Sequence, residues 1–150
     1  MFANKTLPVI IAISIIVMAG VFFAINKSYQ LSFGAKVYYE LGNYAKANEM
    51  SIMAYELDIY NKMAANMIRK SGDALKLQRY INQGEEYLKQ INDMANQSVT
   101  KIQQERIRMM CDIMLDEYDD IVKSVFYDKL LSEARQMRDS FATLKKELFY

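Results

Sequence analysis

The hydrophobic positions of this chain form one long apolar block followed by several periodic stripes. Residues 6–26 carry no charge between Lys5 and Lys27. A helix of about 20 apolar residues rises about 30 Å, which matches the hydrocarbon core of a bilayer. We therefore expect a transmembrane helix at residues 6–26, after a short tail of residues 1–5.

The same block has features of a cleaved signal peptide, because it begins close to a basic N-terminus. Cleavage requires a small residue three positions before the cut. The best candidate positions follow Ala19 and Ala24, and there Val17 and Phe22 occupy the site that prefers a small residue. An uncleaved anchor is the better interpretation.

The flanks of the apolar block give an orientation only weakly, since basic residues stand on both sides of it. A short tail before a folded C-terminal body is the usual layout of a signal anchor. We expect a bacterial inner membrane protein with a cytoplasmic N-terminus and a periplasmic body. Gly20 and Ala24 form a small-x-x-x-small pair, which can contact a neighbouring membrane helix.

The rest of the chain, residues 27–150, has the three- and four-residue steps of amphipathic helices and none of the alternation typical of strands. Pro8 is the only proline. The pattern predicts an all-α body. An example is the apolar stripe of the long helix after residue 73, which comprises Leu77, Tyr80, Ile81, Gly84, Tyr87, Leu88, Ile91 and Met94.

Turn signals divide this body into about six helices, or five if the last two form one bent rod. Helix ends are predicted at residues 42–43, 58–61 and 71–73, with Asp73 as the N-cap of the fourth helix. Paired antiparallel, the helices make three hairpins. The predicted hairpins are residues 28–61, 62–97 and 98–150.

The first predicted hairpin carries small and aromatic residues at regular spacing around its turn. They are Leu31, Ala35, Tyr38, Gly42, Asn43, Tyr44, Ala47, Ala54, Leu57 and Asp58. In length and in these positions the hairpin resembles a tetratricopeptide repeat, a unit of about 34 residues. The resemblance implies antiparallel helices that approach closely at Ala35, Ala47 and Ala54. It further implies that Tyr38 and Tyr44 fill the groove beside them, while Gly42 ends the first helix.

The resemblance has departures. Gly34 replaces a leucine, Ser51 replaces an aromatic residue and Ile59 replaces the closing proline. The next turn signal does not keep the repeat spacing, so the rest of the chain matches only as generic helical hairpins. Because a single unit cannot bury its own apolar face, we expect the neighbouring helices to complete a small stack.

Composition excludes several kinds of chemistry. The chain has no His and a single Cys, so it lacks the commonest general base and the usual ligands of a zinc site. We expect no enzyme activity, no cofactor and no metal. After the apolar block, 18 Asp and Glu balance the same number of Lys and Arg. A neutral body does not favour nucleic-acid binding.

One acidic group is dense enough to consider as a partner-binding surface. Its members share one helical face and are Asp112, Asp116, Asp119 and Asp120. We expect an apolar stripe through Ile113, Ile121 and Val125 on the opposite face. A solvated outer face is the ordinary interpretation, and docking of a basic partner is the alternative.

The features together predict a protein-binding role. The 11 Met and 11 Tyr suit an adaptable interaction surface. Tetratricopeptide-like proteins with one anchor are familiar accessory parts of envelope complexes. The resemblance therefore implies a scaffold, chaperone or assembly factor for an integral membrane complex such as a flagellar motor, secretion or translocation machine. The alternative is a structural homo-oligomer assembled through the long helices after residue 73.

Overall fold

The computed structural model describes residues 6–96, 99–125 and 129–149, and these residues contain six α-helices and no strand. The helices are α1 (Thr6–Ile25), α2 (Lys27–Glu40), α3 (Tyr44–Leu57), α4 (Lys62–Ala95), α5 (Lys101–Ser124) and α6 (Leu131–Phe149). The predicted all-α class is confirmed. The chain forms two compact units, Met1–Ser71 and Gly72–Tyr150, which are described separately below.

Helix α1 is apolar over its whole length. It has 20 residues, none of them charged or buried, and it is long enough to cross a membrane. A signal sequence has the same length and composition. The next helix is a separate element, because Asn26 has an extended backbone (ψ 98°) and caps α2 by accepting a hydrogen bond from the Tyr29 amide.

Aromatic contacts fix the junction between α1 and α2. The rings of Phe22 and Tyr29 meet edge to face at 5.7 Å, and those of Phe23 and Phe33 at 5.8 Å. Ten residues of straight helix rise about 15 Å, so the second contact indicates that the two helices bend toward each other. The Gln30 side chain also donates hydrogen bonds to main-chain oxygens in the last turn of α1.

Helices α2 and α3 form an antiparallel hairpin in the first unit. Gly42 adopts a left-handed backbone (φ 79°), the conformation that ends a helix and that glycine accepts without strain. Asn43 then caps α3 by accepting a hydrogen bond from the Lys46 amide at 3.1 Å. The predicted turn at residues 42–43 therefore has the local geometry that its residue types favour.

Helix α4 continues without a break through residues 71–73, where the sequence predicted a helix end. The predicted hairpin at 62–97 is therefore one helix over its described residues up to Ala95, and the described part of the body contains five helices rather than six. Ser71 turns its hydroxyl back to the Met67 carbonyl at 2.6 Å, which keeps it inside the helix. Gly72 costs a helix about 1 kcal/mol but does not terminate it. The turn signal coincides instead with the border between the two units.

The second unit packs the rest of α4 with α5 and α6. Its buried core comprises Leu77, Tyr80, Ile91, Ile107, Met110, Cys111, Met114, Tyr118, Ile121, Val125, Ala134 and Phe141. The Tyr80 hydroxyl donates to the Met114 carbonyl at 3.0 Å, and burial raises the pKa of Tyr80. Ile121 and Val125 lie in this core as expected, whereas Ile113 is exposed, because the buried face of α5 runs through Met110 and Met114 instead.

Helices α5 and α6 are separate elements. Thr100 begins α5 with a capping box, in which its side chain and that of Gln103 bond reciprocally to the two main-chain amides. At the other end Val125 has an extended backbone (ψ 126°) and stops the helix. The alternative of one bent rod for the last two helices is therefore wrong.

Candidate protein-interaction surface

Helix α2 has the reverse of the usual polarity of a packed helix. The face that it buries carries Ser28, Ser32, Ala35 and Tyr39. The opposite face presents three large apolar side chains at four-residue spacing, which we call the α2 stripe. They are Phe33, Val37 and Leu41, with 52%, 43% and 75% of their surfaces exposed.

Hydrogen bonds explain how serine can occupy the buried face. The Ser28 hydroxyl donates to the Ala54 carbonyl of α3 at 2.7 Å, and the Ser32 hydroxyl donates to the Ser28 carbonyl at 3.0 Å. Both hydroxyl oxygens accept from the Asn61 amide, at 2.8 and 2.9 Å. Among the described residues no buried side-chain nitrogen or oxygen lacks a partner.

Asn61 connects three helices through this network. It is fully buried, and its side-chain oxygen accepts hydrogen bonds from the amides of Met63 and Ala64, which caps α4. Its side-chain nitrogen bonds the two serines of α2. One side chain therefore holds the first turn of α4 against the hairpin.

Helix α3, like α2, buries mainly small residues and exposes most of its large apolar side chains. It buries Tyr44, Ala47, Ser51 and Ala54, and the Ser51 hydroxyl donates to the Ala47 carbonyl within the helix. The Asn48 side chain bonds across to Ser71 of α4 at 3.0 Å. The larger side chains again point outward, namely Ile52, Met53, Tyr55 and Leu57.

Small residues at this interface bring the helices close together, which leaves large side chains without space inside. At Gly34 an added Cβ would lie 2.6 Å from the terminal methyl of Met50 on α3. Apolar side chains on the outer face gain free energy only when something else covers them. A stripe at positions i, i+4 and i+8 has the geometry that accepts another helix.

The structure places the predicted repeat residues as follows. Ala35, Ala47 and Ala54 are fully buried between the helices, and Tyr44 is buried beside them. Tyr38 is 37% exposed and does not fill the groove. The neighbouring Tyr39 occupies that position, with its ring 5.3 Å from the Tyr44 ring.

The error at Tyr38 has a simple cause. The alignment with the repeat placed the aromatic position three residues after Ala35, but the buried positions of α2 continue from Ser32 and Ala35 to Tyr39. The helical period counted from the buried small residues would have selected Tyr39. The exposed α2 stripe was missed because sequence reasoning assigns large apolar residues to the interior.

The acidic face of α5, in the second unit, is partly neutralised. Asp112 pairs with Lys145 of α6 at 2.5 Å, and Asp120 pairs with Lys123 at 2.9 Å. Asp116 and Asp119 are exposed. The partner-binding role of this face stays a prediction, with two of its four carboxylates already bound to cations.

On α1, the predicted contact pair lies on the open helix surface. Gly20 has nothing within 4 Å of the position that a Cβ would take, and Ala24 is exposed as well. Ala24 contributes only its carbonyl, which accepts a hydrogen bond from Gln30 at 2.6 Å. Their role in binding a neighbouring helix stays a prediction.

Within the described residues, no three His, Cys, Asp or Glu side chains are arranged to hold a metal ion. Cys111 is buried in the second unit, and desolvation, followed by the nearby Asp112 charge, raises the pKa of its thiol. The thiol therefore stays protonated near neutral pH.

Comparison with known proteins finds no relative. No protein-family model matches this chain, and no curated protein and no solved structure is significantly similar to it.

Proposed function

We propose that this protein is a membrane-anchored scaffold that binds another protein through the α2 stripe. The observation that carries the proposal is the reversed polarity of α2, which buries serine and exposes Phe33, Val37 and Leu41. The apolar helix α1 provides the attachment, since its length and composition suffice to cross a bilayer.

The partner in this proposal is an integral membrane complex of a bacterial envelope. The protein acts as an accessory subunit, an assembly factor or a chaperone for a machine such as a flagellar motor, a secretion system or a translocation system. The tetratricopeptide-like pattern of residues 28–61 supports this setting. In the same proposal the N-terminus is cytoplasmic and the body is periplasmic, at the inner membrane.

The free energy available from burying the α2 stripe is small, so we expect binding to require both the stripe and the membrane anchor. Fully burying an exposed Phe, Val or Leu contributes about 1.5–3 kcal/mol, and these three side chains are already partly covered, so the stripe supplies roughly 3–5 kcal/mol. Such a contact is weak by itself. Confining both proteins to one membrane raises their effective concentration, which makes a weak contact sufficient.

Affinity purification in mild detergent tests the proposal. The full-length protein is compared with a Val37→Glu, Leu41→Glu double variant and with the truncated chain 27–150, which lacks the anchor. We expect one membrane complex to accompany the full-length protein in fixed ratio, and to be lost from the other two. Met109→Glu, at an exposed position of α5, is the matched control and should retain the complex. Retention by the double variant would contradict the proposal.

The orientation of the protein in the membrane can be measured by labelling an accessible thiol. Cys111 does not provide one, because it is buried. A Ser140→Cys substitution at an exposed position of α6, combined with Cys111→Ala, supplies one. A membrane-impermeant maleimide should label this variant in cells whose outer membrane is permeabilised. Labelling only after lysis would place the body in the cytoplasm.

The alternative function, a structural homo-oligomer, is supported less well. In the second unit the apolar faces of α4, α5 and α6 pack into one internal core, so the surface that this hypothesis requires is largely occupied. The mass of the purified full-length protein separates the two hypotheses. A discrete oligomer without a second protein would favour the structural subunit.

A further inference from the structure

Three helix ends meet directly beside the point where α1 ends. Ser28 follows Ile25 by three residues, and its hydroxyl donates to the Ala54 carbonyl near the end of α3 at 2.7 Å. The same hydroxyl accepts from Asn61, the cap of α4, at 2.8 Å. The start of α2, the end of α3 and the start of α4 are therefore held together next to the last turn of the apolar helix.

A shallow cleft lies between these segments. Its volume is about 550 Å³, and its lining includes Phe22 and Ile25 from α1 with Leu57 and Asp58 from the end of α3. Leu57 and the last turn of α1 therefore face the same cleft. All of these residues belong to the first unit.

The turn that connects α3 to α4 carries unusually exposed apolar side chains. Leu57 is 59% exposed, Ile59 60% and Tyr60 84%. Tyr60 has the largest exposed fraction of any large hydrophobic side chain that the structure describes. A water-facing turn normally carries polar residues, so this composition indicates a different environment.

The turn holds these side chains in a defined conformation. The Tyr60 amide donates to the Asp58 side chain at 2.9 Å, and the Asn61 amide donates to the Asp58 carbonyl at 3.0 Å. The buried Asn61 fixes the following residue in the network with α2. These hydrogen bonds hold the turn in one conformation, from which the side chains of Ile59 and Tyr60 project outward.

Positive charge flanks the turn. Lys27 follows the cap of α2 and Lys62 follows the cap of α4, and both are exposed. The two caps lie at the same end of the hairpin, because Asn61 bonds Ser28. Aromatic residues are enriched at both interfaces of a bilayer, and lysines beside them are placed to meet lipid phosphates.

We propose that the α3–α4 turn, Leu57–Tyr60, is a second membrane contact of this protein. Leu57, Ile59 and Tyr60 enter the boundary between headgroups and acyl chains, and Lys27 and Lys62 face lipid phosphates. A bilayer is favoured over a protein partner because the turn is joined to the exit point of α1. This inference rests on the proposed anchoring role of α1.

The contact has a geometric consequence for the α2 stripe. With the start of α2 at the membrane surface, its far end at Leu41 stands about 21 Å away along the helix, at about 1.5 Å per residue. In this proposal the hairpin stands upright, so that the α2 stripe rises from Phe33, whose ring meets that of Phe23 of α1, to Leu41 at the far end. A partner must then extend out of the membrane to cover it.

Tryptophan fluorescence can test this, since the chain contains no Trp. Three single variants of the full-length protein, Tyr60→Trp, Leu41→Trp and Ile16→Trp, replace exposed residues at the turn, at the far end of α2 and within α1. Each is reconstituted in phosphatidylcholine and phosphatidylglycerol vesicles that contain brominated lipids, which quench tryptophan on contact. Far-UV circular dichroism checks that each variant keeps its helices.

The expected result is quenching of Tyr60→Trp at least two-fold stronger by bromine near the headgroup than by bromine near the chain end. Ile16→Trp should show the opposite depth preference, and Leu41→Trp should not be quenched. Quenching of Ile16→Trp alone would overturn the second contact and leave the anchor intact. Equal quenching of Tyr60→Trp and Leu41→Trp would show a flat hairpin and overturn the upright arrangement. No quenching of Ile16→Trp would overturn both the anchor and this inference.

Discussion

At the scale of residues, Asn61 is the side chain that links three helices of the first unit. It is fully buried, it caps α4, and it supplies the hydrogen bonds that allow Ser28 and Ser32 to be buried. Helix caps contribute about 1 kcal/mol, and a buried polar group that loses its partner costs about 1–3 kcal/mol. The packing of three helices therefore depends on one amide.

Replacing Asn61 by Ala should destabilise the first unit by about 2–4 kcal/mol, because it uncaps α4 and leaves two hydroxyl oxygens without a donor. Hydrogen exchange of the full-length protein measures this locally, since 1.4 kcal/mol corresponds to about a ten-fold change in rate. Amides of α2 and α3 should exchange about 30-fold faster or more, and those of α5 and α6 should not change. Asn66→Ala, at an exposed position of the same helix, is the control. Equal effects of the two variants would contradict this role.

The reactivity of Cys111 measures whether the core of the second unit is closed to solvent. Its burial blocks access, and desolvation raises the pKa of the thiol, so little reactive thiolate is present near neutral pH. We expect maleimide to label native Cys111 at least 100-fold more slowly than the same thiol in urea. The check is labelling followed by mass spectrometry. Rapid labelling of the native protein would show that this core is open.

At the scale of elements, the sequence predicted the helices whose ends carry strong signals. Gly42 and Asn43 mark the α2–α3 turn, and the helix end predicted at residues 58–61 contains Asn61, the cap of α4. Prediction failed at residues 71–73, because the tendency of Ser, Gly and Asp to end a helix is weak and tertiary packing can override it. Ser71 instead bonds within α4, to Met67.

Prediction was incomplete for the polarity of α2, since it placed Ala35 at the helix interface but not Ser28 and Ser32. These buried serines depend on the amide of Asn61, which lies 33 residues after Ser28. A single sequence does not reveal this partner, so the burial of the serines was not predicted. The exposed α2 stripe could be identified only from the structure, which shows the hydrogen bonds that Asn61 makes to the two serines.

Two helical glycines offer a matched test of how closely the elements pack. A Cβ at Gly84 would lie 2.5 Å from Cγ of Met137 on α6, close to the backbone, whereas a Cβ at Gly34 would meet only the movable methyl end of Met50. Gly84→Ala should destabilise the second unit by about 1–3 kcal/mol. Gly34→Ala should be near neutral, because the gain in helix propensity of about 1 kcal/mol offsets a small rearrangement.

Hydrogen exchange again separates the two glycine variants, since each acts within one unit. The combination Gly84→Ala with Met137→Ala relieves the clash, so the double variant should lose less stability than the sum of the two single variants. An equal cost of the two single substitutions would show that contact with Met137 does not explain Gly84.

At the scale of the whole molecule, the apolar helix and the all-α class followed from composition and periodicity alone. The division into two units did not, because α4 belongs to both. The candidate interaction surface was not predicted either, because it consists of large apolar residues, which ordinarily form a core. The proposed scaffold role joins these observations: an apolar anchor, a hairpin packed through small polar residues, and an apolar stripe that faces outward.

Site-specific photo-crosslinking in living cells tests this account most directly. A photoreactive amino acid is placed at Val37 or Leu41 in the α2 stripe, and at Met109 of α5 as the control position. The account predicts an adduct with the same membrane protein from both stripe positions and none from the control. Absence of adducts from the stripe, or adducts only with a second copy of this chain, would contradict the scaffold role.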